Sequence, residues 1–152
     1  MHFEVRAIAV VHSTRTEVLD DNWDAQSSSI VLCDDVPAES LFGLASFSHV
    51  EVVWVADQAS DAPPAAWSRH PRGNTQWPVV GVFAQRNKDR PNRLLVSVAT
   101  LVSVEDRTLV VRGLDAIDGT PLVDIKPVFG WNGPRGLLRT PTWSEELGQN
   151  YY

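Results

Sequence analysis

The stretch LVSVATLVSVEDRTLVVRGL, residues 95–114, decides the fold. Two runs dense in Val and Leu are separated only by Glu105, Asp106 and Arg107, which predicts an antiparallel hairpin turning at those residues. β-Branched side chains suit a pleated surface and are stiff in a helix. Similar short runs recur outward from this hairpin, at residues 3–11, 29–33, 49–56, 79–84 and 122–125, cut by Pro, Gly, Asn and Asp. The chain is therefore expected to be all-β, mainly antiparallel, with about seven strands; a single barrel is the economical way to hide their edges.

Helical signals are few. Asp35 is placed to cap a short helix starting near Pro37 and ending before Gly43. Thr142 and Glu145 have capping-box spacing, with Gly148 positioned to stop the turn. Residues 22–29 and 58–77 read as long loops, and the second is a candidate site wall.

With 152 residues the chain fits one domain, and 43% hydrophobic residues suffice for a core. A net charge of -6 argues against a broadly basic nucleic-acid binder, so any polyanion site must be focused. Cys33 is the only cysteine, which rules out an internal disulfide and a cysteine-built metal site and suggests a buried, inert thiol. The N-terminal residues lack a signal-peptide pattern, and no apolar run approaches the roughly 20 residues that span a bilayer. The expected location is cytoplasmic.

Three segments carry possible chemistry. In GVFAQRNKDRPNRLL, residues 81–95, Arg86, Lys88 and Arg90 would share one face of an extended segment, and Pro91 with Asn92 ends it in a bend. Guanidinium groups fixed at such a bend suit a carboxylate or phosphate; the plainer alternative is a solvated basic loop. In GLDAIDGTPLVDIKP, residues 113–127, Asp118 and Gly119 signal a turn, and Asp124 and Lys126 project from one strand face. Asp115 or Asp118 there either accepts a ligand hydroxyl or amine, or serves only the turn. In FSHVEVVWVADQ, residues 47–58, His49 precedes a strand that Asp57 and Gln58 follow; His49 is either a structural histidine or a base.

Dinucleotide, nucleotide triphosphate, zincin and hydrolase signatures are missing, and His2, His12, His49 and His70 lack metal-ligand spacing, so no metal is expected. Most of the six tryptophans should pack in the core or rim, although Trp67, Trp77, Trp131 and Trp143 lie in loop-like contexts where a base could stack.

Taken together, FSHV at residues 47–50, GVFAQR at 81–86, RPN at 90–92 and the segment 113–127 resemble the TsaA-like, or YaeB-like (TrmO), family in order and spacing. The resemblance implies one TsaA-like β-barrel domain over residues 1–152, with a core at about 3–130 and an extension at 131–152. It also implies an S-adenosylmethionine-dependent methyltransferase, commonly a homodimer, acting on the N6 of threonylcarbamoyl-adenosine 37 in tRNA. Matching positions place Asp57, Gln58, Arg86, Leu95, Leu114, Asp115, Ala116, Ile117 and Asp118 at the cofactor, and Lys88, Arg90, Asn92, Arg93 and Lys126 toward the substrate. Asp118, Asp124 and His49 are candidate bases by chemistry alone. The chain reads QRNK where the family usually has TRSP, and RPNRLL where it has RPNPIG. Another RNA or a small-molecule acceptor, or a non-catalytic S-adenosylmethionine-binding barrel, therefore remains an alternative. The chain stops at Tyr152, short of an additional C-terminal region in some longer relatives, which is expected to weaken tRNA engagement.

Overall fold

The computed structural model describes all residues of the chain except 61 and 63, which belong to the expected 58–77 loop. In chain order the strands are β1 (Ala9–Ser13), β2 (Ser27–Leu32), β3 (His49–Val55), β4 (Ser68–Arg69), β5 (Val80–Gly81), β6 (Leu94–Glu105), β7 (Thr108–Arg112) and β8 (Pro121–Pro127). Six of them close a barrel in the order β1-β2-β7-β6-β3-β8, every neighbouring pair antiparallel. β4 and β5 form a separate two-stranded ribbon.

The hairpin expected at residues 95–114 forms as β6 and β7. Glu105 pairs with Thr108, leaving Asp106 and Arg107 as the turn, and Asp106 takes a left-handed φ of 49° that short Asp side chains tolerate. Strand alternation then fills the interior: Val50, Val52 and Trp54 of β3 point inward, and their cross-strand partners on β6 include Ala99 and Ser97. Ile30, Leu109, Leu114 and Leu122 complete the core, each worth roughly 1.5–3 kcal/mol of burial.

Closure is weakest between β1 and β8, which pair only at Ala9 with Leu122 and Val10 with Pro121. Residues 36–47, containing the 3-10 turns Ala38–Leu41 and Leu44–Ser46, cover that seam with buried Leu41. A cavity of about 430 Å3 remains there, lined by Ile8, Leu32, Leu41, Phe47, Asp124 and Ile125 among others.

Several expectations need correcting. The run at 3–11 contributes only its end, because residues 3–6 are exposed and β1 starts at Ala9. The run at 79–84 is not a barrel strand: Val80–Gly81 joins the outlying ribbon and Val82–Ala84 is a 3-10 turn. Neither proposed cap acts, since Pro37 and Pro141 occupy the cap positions without a side-chain hydrogen bond. Helix α1 (Thr142–Gly148) begins on Thr142 itself, and Thr140, two residues earlier, instead donates to Glu145 at 2.8 Å. Cys33 is partly exposed rather than buried. Among the described residues, no helix is long and apolar enough to cross a membrane.

The two barrel ends differ. Residues 33–48 and the two-residue β6–β7 turn close one, the hairpin end; the connections 14–26, 56–93 and 113–120 emerge at the other, the loop end.

Candidate functional site

The loop end gathers Asp57 and Gln58 just past β3, Arg86 on the way to β6, Leu95 in β6, and residues 114–118 after β7. Leu114 and Ala116 face inward and anchor that last connection, so Asp115 between them is half-buried at the barrel mouth. Gly119 takes a φ of 80°, a conformation open to glycine, and its N–H donates to the Val11 carbonyl at 2.8 Å. Asp118 finishes the turn by accepting from the Ser13 N–H at 2.9 Å.

Asp115 is the polar centre. Trp54, 7% exposed, donates its indole N–H to the hydroxyl of Ser97, 3% exposed, at 2.9 Å. Ser97 in turn donates to Asp115 Oδ1, and the Tyr151 hydroxyl donates to Asp115 Oδ2. Burial, then the Asp115 charge and the hydrogen bond to it, push the Tyr151 pKa far above the ordinary tyrosine value. Tyr152 is also raised, by partial burial first and Asp115 second, with Arg86 acting in the opposite direction. Arg86 donates to the carbonyl of Val96, the residue before Ser97. Arg86, Ser97, Asp115 and the two terminal tyrosines thus form one cluster.

The other cations of residues 85–95 are differently engaged. Residues 85–93 are irregular, not extended, so the expected shared face does not form. Arg90 folds back onto the carbonyls of Gln85 and Asn87, at 3.0 and 3.4 Å. Arg93, at a left-handed φ of 51°, donates to the carbonyls of Asp57 and Ala59 at 3.3 and 3.1 Å, tying the end of β3 to the start of β6. Lys88 lies 3.9 Å from Asp89, and Asn92 is exposed. Gln85, one of the positions that departs from the family pattern, is buried and donates to the Val80 carbonyl at 3.0 Å.

The remaining candidates stand apart from Asp115. His49 starts β3 at the hairpin end, with its ring 2.8 Å from the Ser48 hydroxyl. Asp124 and Lys126 pair with each other, opposite Val53 and Glu51 on the outward side of β3.

Sequence reasoning missed Trp54, Ser97, Tyr151 and Tyr152. A small polar residue at an inward position of an alternating strand was a usable signal for Ser97; the tyrosines carried none. The C-terminal segment reaches the site through paired backbones: Asn22 and Trp23 donate to the carbonyls of Asn150 and Tyr151, both at 2.9 Å. The Trp77 indole donates to Glu146 of α1 at 2.6 Å, which joins residue 77 of the expected site wall to the same segment.

The donor set fits S-adenosylmethionine chemistry. Asp115 is an acceptor for a hydroxyl or amine, Arg86 is an exposed guanidinium for a carboxylate, and half-buried Leu95 and Ile117 are apolar surface. None of these residues lines the cavity beneath residues 36–47, so that cavity and the polar cluster are separate features.

The sequence pattern of the tRNA-methyltransferase O N-terminal domain matches residues 15–131. A mouse tRNA (adenine(37)-N6)-methyltransferase is 37% identical over 102 residues, covering 66% of this chain and 23% of its own length. An Archaeoglobus fulgidus protein named "Probable S-adenosyl-L-methionine-binding protein" is 55% identical over 47 residues, 31% of this chain and 13% of its own. The crystal structure of TrmO from Pseudomonas aeruginosa superposes with a TM-score of 0.76 at 27% identity, covering 94% of this chain and 62% of that one. The chain thus spans about a quarter of the mouse relative's length.

Proposed function

The chain belongs to the family of the tRNA-methyltransferase O N-terminal domain, and from that premise we propose that it is an S-adenosylmethionine-dependent methyltransferase. Its proposed acceptor is the N6 of threonylcarbamoyl-adenosine 37 in tRNA. The observation that carries this reading is the juxtaposition of Arg86 and Asp115 at the loop end, where the sequence motifs converge.

S-adenosylmethionine supplies an electrophilic methyl group. Arg86 binds a carboxylate and Asp115 fixes a hydroxyl or amine, so the chain contributes chiefly positioning and electrostatics. Asp57, Gln58, Leu95 and residues 114–118 complete the cofactor wall. Removal of the acceptor proton falls to Asp118, the one candidate base on the same connection as Asp115; Asp124 and His49 lie elsewhere in the barrel. Lys88 and Asn92 are the cation and amide left for the acceptor's phosphates, whereas Lys126 is engaged by Asp124.

One observation favours a second reading, transfer to another RNA or a small molecule. Arg90 and Arg93, expected to face the substrate, donate to backbone carbonyls instead.

The 152 residues are read as one domain, core at about 3–130 and extension at 131–152, in a cytoplasmic protein. A homodimer is proposed on the outward face of β6, where Val96, Val98 and Val102 are exposed. Sedimentation at micromolar concentration tests this, and a monomer there rejects it.

The decisive assay is methyl transfer from S-adenosylmethionine to tRNA pools with and without threonylcarbamoyl-adenosine. Transfer only to the modified pool supports the first reading, and transfer to the unmodified pool supports the second. Cofactor binding without transfer to any acceptor rejects catalysis in favour of a binding barrel.

A further inference from the structure

The Asp115 carboxylate ends a hydrogen-bonded chain that starts in the barrel core. An indole nitrogen only donates, so the Ser97 hydroxyl accepts from Trp54 and its own proton is directed to Asp115 Oδ1. The Tyr151 hydroxyl occupies one acceptor site on Oδ2. Each carboxylate oxygen offers about two such sites, so each retains acceptor capacity for a ligand. Tyr151 is itself held: its carbonyl accepts from Trp23, that of Asn150 accepts from Asn22, and α1 is fastened by Trp77 to Glu146. Tyr151 thus sits on a braced segment, 36 residues along the chain from the group it touches.

We propose that Tyr151 is a positioning residue for the cofactor: together with Ser97 it orients the Asp115 carboxylate toward the hydroxyl or amino donors of S-adenosylmethionine. Residues 142–151 are then a wall of the site and not an appendage. The inference rests on the reading of Asp115 as a cofactor acceptor. Burial keeps the tyrosine proton in place well above neutral pH, so the donor persists under all working conditions.

The test is a double-mutant cycle on the full chain, with S-adenosylmethionine titrated calorimetrically into wild type, Tyr151→Phe, Asp115→Asn and the double variant. Tyr151→Phe is expected to weaken binding about tenfold, the scale of one hydrogen bond to a charged group. Asp115→Asn should weaken it further, and the double variant should match Asp115→Asn within about twofold. Multiplying losses would mean that Tyr151 does not act through Asp115 and would overturn the inference. Wild-type affinity in Tyr151→Phe, beside a weakened Asp115→Asn, defeats the inference alone; wild-type affinity in Asp115→Asn defeats the reading of Asp115 and the inference with it. Tyr151→Leu, which also lacks the hydroxyl, replaces Tyr151→Phe in the cycle if the latter does not fold, with the same outcomes deciding.

Discussion

The two ends of the barrel solve the same closure problem with different materials. At the hairpin end, a two-residue turn and the short 36–47 segment cover the core with Leu41, Leu44 and Val36. At the loop end, inward positions carry Ser97 beside Trp54, and the covering groups are Asp115, Arg86 and the C-terminal tyrosines. A barrel mouth closed by apolar packing has only stability to gain from its residues. One closed by a polar network needs every member satisfied, because a buried polar group without a partner costs about 1–3 kcal/mol. Such a network is retained where it does something that packing cannot.

Changes that ignore this difference should have the largest effect. Leu122→Ala lies in the wall shared by both ends and is expected to cost about 2–5 kcal/mol in urea unfolding. The surviving folded fraction should still bind cofactor, and a selective loss of binding would contradict the separation of wall from site.

Trp54→Phe probes the root of the polar network. It removes the N–H that orients Ser97 and some buried volume, so stability should fall by about 1–3 kcal/mol and cofactor affinity by a few fold. A loss of stability with unchanged affinity would make Trp54 simple packing.

The smallest effect is alkaline. The Tyr151 pKa is raised on folding above its ordinary 10.0, so its contribution is full below pH 10 and is lost as pH rises from there toward the higher folded value. Stability measured between pH 8 and 11 should decline less steeply in Tyr151→Phe than in wild type. Equal slopes would show that the hydroxyl is not specially placed.

The barrel was legible because its main hairpin is local and its strands alternate. The error at residues 79–84 has a physical cause: composition favoured a strand and burial there even alternates, yet tertiary hydrogen bonds turn the chain after Gly81. Val82 is 2% exposed and Phe83 75%, while the Val82 N–H bonds the Trp67 carbonyl at 3.0 Å and the Gln85 side chain holds Val80. That tertiary tie overrode propensity. Within the site, the Asp115 connection was visible through its Asp-Gly turn and family motif. The roles of Arg90 and Arg93 were not, since basic side chains beside a proline bend look alike whether they face a phosphate or a carbonyl. Tyr151 was invisible, because nothing local in NYY at residues 150–152 announces a contact with residue 115.

Paired titrations of S-adenosylmethionine into Arg86→Ala and His49→Ala test the central claim, that chemistry belongs to the loop end. A loss of about ten- to a hundredfold in Arg86→Ala, with His49→Ala within about twofold of wild type, is the predicted result. Unchanged affinity in Arg86→Ala, or a comparable loss in His49→Ala, would contradict it.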